Sequence, residues 1–332
     1  MNVLLVGGSG LIGHYLLPML VGEGHVVTVV SRGNRPLREP SVMHIRGNRT
    51  DIFASQRVPG HYDVVIDDVA YTPDDCKTLL NSLRGRMNHY IVVSTAFVYP
   101  NLTHRTHESS HPIRETDALF DTPPYSIASQ NPHDRYVYDK QRMEFWLRHH
   151  TADYNIPVTV IRPLLQIVGP NTDDGRFAWF WLRVRDGGRI WLPEDARQNG
   201  GLCQLSFSGD VARTIVAAMH HSTARYTVYN AGQPELWTCE EYIRLMTLAA
   251  GNATKISYAP RETLDRWVGG TYRIPLPYQA SFDVSRAWGE LGLVPTPMEI
   301  WIRETGDWMT QFYADSTPNW YESRRQELLW QA

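Results

Sequence analysis

VLLVGGSGLIGHYLLPML, residues 3–20, decides the fold. It reads as strand, glycine turn, helix. Val3 to Val6 make a short apolar run, Gly7, Gly10 and Gly13 follow at three-residue intervals, and an amphipathic segment comes next. In a βαβ unit the first glycine makes the tight turn, the second lets backbone approach a pyrophosphate, and the third lets the helix pack close to the strand. The helix N-terminus then faces the phosphates. A turn placed between a strand and a helix is the context that makes such glycines a dinucleotide-binding motif. GGSGLIG therefore puts Gly7, Ser9, Gly10, Leu11, Ile12 and Gly13 at a cofactor. One residue runs against the pattern: Pro18 lies inside the helix, where it removes a hydrogen bond and is expected to kink or shorten it.

Outward from this stretch, HVVTVVSR after Gly24 is a second, nearly continuous apolar strand, as expected of a parallel strand buried on both faces. An acidic residue at its end would suit the ribose 2′-hydroxyl of NAD, and an Arg the 2′-phosphate of NADP. Ser31 and Arg32 stand there, followed by Arg35 and Arg38. NADP is thus the preferred cofactor and NAD the alternative. VMHIRGNRTD (42–51), YDVVIDDVAY (62–71) and HYIVVSTAFVYP (89–100) give three further strands, with a helix predicted over Pro73 to Leu83. Strand alternating with helix specifies an α/β fold with a doubly wound parallel sheet. Ligands of such sheets bind beyond the carboxyl ends of the strands, so Ser31, Arg32, Asn48, Val69, Ala70 and Thr95 should approach one crevice.

Residues 101–133 are rich in His, Ser, Thr and Pro and read as a long loop of the kind that covers a site. A helix then starts at Asp134, and PVTVIRP (157–163) is a sixth strand. Beyond Gly169 and Pro170 the composition changes, with Phe177, Trp179, Phe180, Trp181 and Trp191 clustered. Such density reads first as core, because aromatics carry large burial energies, although Phe177 is kept as a substrate contact. The division expected is a dinucleotide-binding unit of residues 1–170 with returning segments near 202–232, and a smaller α/β substrate-binding lobe of mainly 171–332. Residues 202–208 read as a returning strand. The tail from Pro318 should lay Trp320, Leu328, Leu329 and Trp330 against a lobe or a second subunit, so a homodimer is admitted.

Totals exclude several classes. Lys+Arg 32 against Asp+Glu 35 gives a net charge of −3, without the basic field that nucleic-acid binding needs. Three scattered cysteines argue for a reducing compartment. The absence of a run of 18 apolar residues argues against a membrane span, so a cytoplasmic protein is expected. His104, His107 and His111 lie in a loop-like segment without a complete ligand set of defined spacing, and no metal is expected.

Tyr136 and Lys140 are four apart on a predicted helix and share a face. With 17 Tyr but only Lys77, Lys140 and Lys255, chance placement would give about 0.15 such pairs. A tyrosine serves as a general acid or base near neutrality only if its pKa falls, and a neighbouring ammonium has that effect. Lys140 is therefore expected to lower the Tyr136 pKa and to hold the nicotinamide ribose.

GGSGLIG, STAFVY (94–99), YVYDK (136–140), IRPLLQIVGP (161–170), FSGDVA (207–212) and YNAG (229–232) together resemble the extended short-chain dehydrogenase/reductases of the NAD(P)-dependent epimerase/dehydratase kind. The resemblance covers nearly the whole chain. It implies a Rossmann sheet and makes Thr95, Tyr136 and Lys140 the catalytic set, with Asn48 near the adenine and Pro163 near the nicotinamide. Departures narrow the chemistry. Ala96 and Phe97 replace the acids that follow the catalytic threonine in 4,6-dehydratases, and Leu165 or Gln166 stands where nucleotide-sugar enzymes carry an Asn. Ala96, Phe97 and Gln166 are thus substrate-side candidates. The resemblance implies hydride transfer at a secondary alcohol or ketone carbon of a sugar-like or secondary-metabolite small molecule, by a ketoreductase or an epimerase. The alternative is a non-catalytic NAD(P) sensor or an RNA-binding relative.

Overall fold

The structure is a computed structural model that describes residues 1–100, 102, 112–118, 120–122, 124, 131–171, 175–198, 202–221, 225–269, 272 and 280–330. His104, His107, His111 and most of the predicted 101–133 loop lie outside the described residues.

Seven parallel strands form the central sheet: β1 (Asn2–Val6), β2 (Val26–Ser31), β3 (Met43–Arg46), β4 (Val64–Asp67), β5 (Tyr90–Val93), β6 (Val158–Pro163) and β7 (Tyr226–Ala231). Their spatial order is β3-β2-β1-β4-β5-β6-β7. The chain reverses its direction of winding between β1 and β4, which opens a crevice at the carboxyl ends of that pair. Val3, Leu4, Leu5 and Val6 are all fully buried, because helices cover both faces of the sheet. Helices α1 (Gly13–Gly22), α2 (Arg49–Ala54), α3 (Pro73–Ser82), α4 (Pro132–His150), α5 (Gly175–Arg185), α6 (Ser208–Met219), α7 (Cys239–Ala250), α8 (Met298–Phe312) and α9 (Arg324–Leu329) follow in the chain. No helix among the described residues is long and apolar enough to cross a membrane.

Three expectations are corrected. Helix α1 runs through Pro18 to Gly22. The His14 carbonyl, which Pro18 cannot serve, accepts a hydrogen bond from Arg38 Nη1 at 3.3 Å, so Arg38 supports the helix. Residues 202–208 do not make one strand: Leu202–Cys203 pairs antiparallel with Trp237–Thr238, and Ser206–Phe207 pairs parallel with Ile167–Val168. The tail does lay Trp320 against Gly175 and Leu328 against Gly188, but it is docked chiefly by charge and by the Trp330 indole, with Leu329 left out. Trp330 packs on Trp191 and Trp267 at ring separations of 4.3 and 3.8 Å, whereas Leu329 is 82% exposed. Arg324 and Glu327 of α9 are buried instead, in a network with Arg183 and Asp186. Desolvated ions persist only when paired in this way.

The aromatic segment forms its own core. Phe177, Trp179, Phe180 and Trp181 of α5 pack with Trp191, Tyr242 and Trp301. Gly306 of α8 lets that helix approach closely, since a Cβ there would fall 2.2 Å from the Trp181 ring.

Candidate active site

The crevice encloses about 670 Å³ and runs from the glycine turn to the ends of β2 and β4. Gly7 has φ +114°, a conformation in which a side chain would be strained. A Cβ on Gly13 would fall 2.3 Å from the Gly8 carbonyl carbon, so only glycine brings the helix this close to the turn. A Cβ on Gly10 would meet nothing within 4 Å, and that open space is what a close-approaching phosphate requires. Helix α1 has no side-chain cap and no acidic residue in its first turn, so its positive dipole end remains available to an anion, while the His14 and Tyr15 amides donate to the Gly10 and Ile12 carbonyls. These features fit the pyrophosphate of a dinucleotide.

Gly7, Ser9, Gly10, Ser31, Arg32, Asn48 and Val69 all line the crevice. Leu11 packs near Gly169, and the Ile12 side chain is buried in the sheet core, so those two residues belong to the turn through their backbone. Ser31 Oγ is 2.8 Å from His44 Nε2. Asn48 caps α2, its Oδ1 accepting from the Thr50 amide at 3.0 Å. Arg32 is exposed on the crevice wall, while Arg38 is turned onto His14.

The reactive end lies at the ends of β4 and β5. Asn131 caps α4, Pro132 starts it, and its inward face carries Lys140, Met143, Glu144 and Leu147. Lys140 is 3% exposed, and its Nζ donates to the Ala70 carbonyl at 2.6 Å and the Val93 carbonyl at 2.8 Å. Burial lowers its ammonium to about 8, against the opposing pull of Asp67, Cys76 and Asp68. Tyr136 lies one helical turn before Lys140, and Thr95, which follows β5, works against burial by lowering the Tyr136 pKa. The expected fall in the Tyr136 pKa is not found. Burial raises it, only partly offset by Thr95, because Lys140 is held by two backbone carbonyls and its Nζ stands 5.9 Å from the Tyr136 ring centre.

Ala96 is fully buried, and Phe97 lies edge-on to His133 at 4.7 Å. Pro163 ends β6 opposite Ala231, and Gln166 is buried, its carbonyl accepting from the Ser206 amide. Phe177 is not brought to this end. It is 2% exposed and stacked on Trp181 in the second core, because an aromatic residue on the inward face of α5 partitions with its neighbours.

Four residues that sequence reasoning passed over join the two ends. Tyr71 lines the crevice, lies 4.8 Å from Lys140 Nζ at its ring centre and meets the Tyr136 ring edge-on at 6.1 Å. Arg49 grips Asp67 with two bonds of 2.7 and 2.6 Å, tying the start of α2 to the end of β4. Asp68 lies under the turn, its Cβ 3.1 Å from where a Gly7 Cβ would be. The adjacent acids Asp67 and Asp68 at a strand's carboxyl end were the available signal.

Burial pushes the Asp68 carboxyl up to about 7, with Asp67 adding to the rise and Lys140 opposing it. A proton held more tightly in the folded chain favours folding fully below the ordinary carboxylate range, and that contribution disappears as pH rises through about 7. Asp68→Asn is therefore expected to gain stability over the parent progressively from pH 4 to 7 and to level off above. Urea midpoints across that range check this, and a pH-independent difference contradicts it.

Comparison with known proteins follows from this geometry. Residues 3–232 match the model of the NAD dependent epimerase/dehydratase family. The chain is 25% identical over 280 residues to the chloroplast stem-loop binding protein of 41 kDa b of Arabidopsis thaliana, spanning 79% of this chain and 67% of that one. Among solved structures, the UDP-glucose 4-epimerase of Thermotoga maritima with UDP-glucose superposes with a TM-score of 0.70 at 19% identity, covering 94% of this chain and 99% of that one. The UDP-glucuronic acid 4-epimerase from Bacillus cereus in complex with NAD gives 0.68 at 18% identity, covering 94% and 100%. At these identities the superpositions establish a shared fold.

Proposed function

The chain belongs to the NAD-dependent epimerase/dehydratase family, and from that premise we propose that it is an NAD(P)-dependent oxidoreductase acting at a secondary alcohol or ketone carbon of a sugar-like or secondary-metabolite small molecule. The observation that carries this reading is the buried Lys140, its Nζ 5.9 Å from the Tyr136 ring centre, with both residues joined to the glycine crevice through the Tyr71 ring. When bound, the nicotinamide supplies or accepts hydride. Gly7, Ser9, Gly10 and the N-terminal end of α1 would hold its phosphates, Ser31, Arg32 and Asn48 its adenosine end, and Lys140 its nicotinamide ribose. Thr95 orients the substrate oxygen by hydrogen bonding. Tyr136 gives that oxygen a proton during reduction and removes it during oxidation. Hydride returned to the opposite face of the same carbon makes an epimerase, and a single transfer with cofactor exchange makes a ketoreductase. In this reading residues 1–170 with 202–232 bind the cofactor and 171–332 shape the substrate side.

The test is tritium or deuterium exchange between labelled NAD(P)H and candidate ketones, with product stereochemistry separating the two outcomes. Failure of the chain to bind either dinucleotide overturns the reading. Arg32 lines the crevice just after β2, and as the selector of a 2′-phosphate its replacement Arg32→Ser is expected to lower the NADP⁺ to NAD⁺ affinity ratio about tenfold, the scale of one charge-assisted bond. Calorimetric titration with both dinucleotides measures that ratio, and an unchanged ratio removes Arg32 as the selector.

A second reading follows from the stem-loop binding relative: RNA recognition by the same fold. The net charge of −3 weighs against it. Fluorescence anisotropy with a stem-loop RNA at physiological salt decides between the two.

A further inference from the structure

Asn171 follows the Ile167–Val168 strand and adopts φ +67°, a left-handed conformation that few residues other than glycine take. Its side chain reaches the glycine turn across 162 residues of sequence. Nδ2 donates to the Ser9 carbonyl at 3.1 Å and to the Gly10 carbonyl at 3.2 Å. The Gly10 carbonyl also accepts from the His14 amide at 3.0 Å, within the first turn of α1.

We propose that Asn171 is a positioning residue for the phosphate cradle: by fixing the Ser9 and Gly10 carbonyls, it fixes the direction of the Gly10 and Leu11 amides. The physical step is peptide planarity. In a trans peptide the carbonyl and the following N–H point in opposite directions, so a carbonyl turned towards Asn171 sends the next amide to the far side. Ser9 and Gly10 line the crevice, and amides on that side meet an anion directly. The segment that carries Asn171 is itself anchored, since Ile167 and Val168 pair with Ser206 and Phe207. Leu11 lies against it, 3.5 Å from where a Gly169 Cβ would be. The turn is thereby preorganised before any ligand arrives, which reduces the ordering cost of binding. The inference rests on the dinucleotide reading above for its ligand, but its structural half concerns the chain alone.

Asn171→Gly keeps the left-handed backbone and removes the donor. In the ligand-free chain, the NMR order parameters of the Gly10 and Leu11 amides should fall from the rigid-backbone value of about 0.85 to below about 0.6. NAD⁺ affinity should weaken about tenfold, the scale of two lost neutral bonds, while the affinity for adenosine, which lacks phosphates, stays at the parent value. Asn171→Asp keeps the shape but turns an acceptor towards two carbonyl oxygens, and it should lose more NAD⁺ affinity than the glycine variant. Unchanged order parameters at Gly10 and Leu11, or equal losses for adenosine and NAD⁺, overturn the proposal. A parent chain that binds no dinucleotide removes the oxidoreductase reading, and the order-parameter comparison still decides the role of Asn171.

Discussion

Replacing Tyr136 by Phe is expected to lower turnover by about 10²- to 10⁴-fold, the usual contribution of a positioned proton donor or acceptor, with dinucleotide affinity unchanged. Only the hydroxyl is removed. The ring keeps its edge contact with Tyr71 and its place beside His133, so the helix face that carries Lys140 is not disturbed. Thr95 keeps its place, since its hydroxyl accepts from the Phe97 amide at 3.3 Å. The loss should therefore appear in kcat at saturating substrate, with little change in the cofactor KM. Because burial raises the Tyr136 pKa, the ligand-free chain holds the phenol protonated at neutral pH, ready to act as an acid in reduction. Oxidation requires the phenolate and should gain rate with rising pH more steeply than reduction does. Retention of parental kcat by Tyr136→Phe would remove this tyrosine from the chemistry.

The largest loss of stability is expected from Glu144→Gln. Glu144 on α4 and Arg162 on β6 are both fully buried, and Arg162 donates from Nε to both Glu144 oxygens at 3.1 Å and from Nη2 at 2.5 Å. The guanidinium also donates to the Glu115 and Ala118 carbonyls and lies over the Tyr99 ring. Removing one member of such a pair leaves an uncompensated charge in the interior, at a cost of about 3–5 kcal/mol. Part of that effect should reach the site. Glu144 is one helical turn beyond Lys140 and contributes to its electrostatic environment. Urea unfolding of the two chains measures the difference, and a loss below about 1 kcal/mol would show that the pair is not stabilising the fold as its burial implies. The double replacement Glu144→Leu with Arg162→Met is expected to recover much of the loss, since no charge is then left unpaired.

Much of the site is built from local patterns, and that part was legible. The apolar run at Val3 to Val6, the glycine spacing and the four-residue step from Tyr136 to Lys140 each depend on neighbours in sequence. Period and turn chemistry report such features directly. The residues that connect them were not legible. Tyr71 reads only as the end of a strand, and Asn171 carries no local pattern at all. Their roles arise from contacts with Lys140, Tyr136, Ser9 and Gly10, which lie far from them along the chain. Phe177 shows the converse: in a run of aromatics every ring has the same apolar character, and only packing distinguishes a core ring from a crevice ring.

The amino-acid sequence by itself determined the parallel sheet, the place of the glycine turn and the identity of Thr95, Tyr136 and Lys140 as a set to be tested. Hydrophobic period and glycine sterics act within a few residues, so they are written in the order of the chain. The tertiary structure alone decided where charge and donors point. It turned Lys140 onto the Ala70 and Val93 carbonyls, raised rather than lowered the Tyr136 pKa by burial, and drew Arg38 onto His14. Those outcomes depend on desolvation and on the direction of backbone carbonyls, quantities set by the whole packed interior.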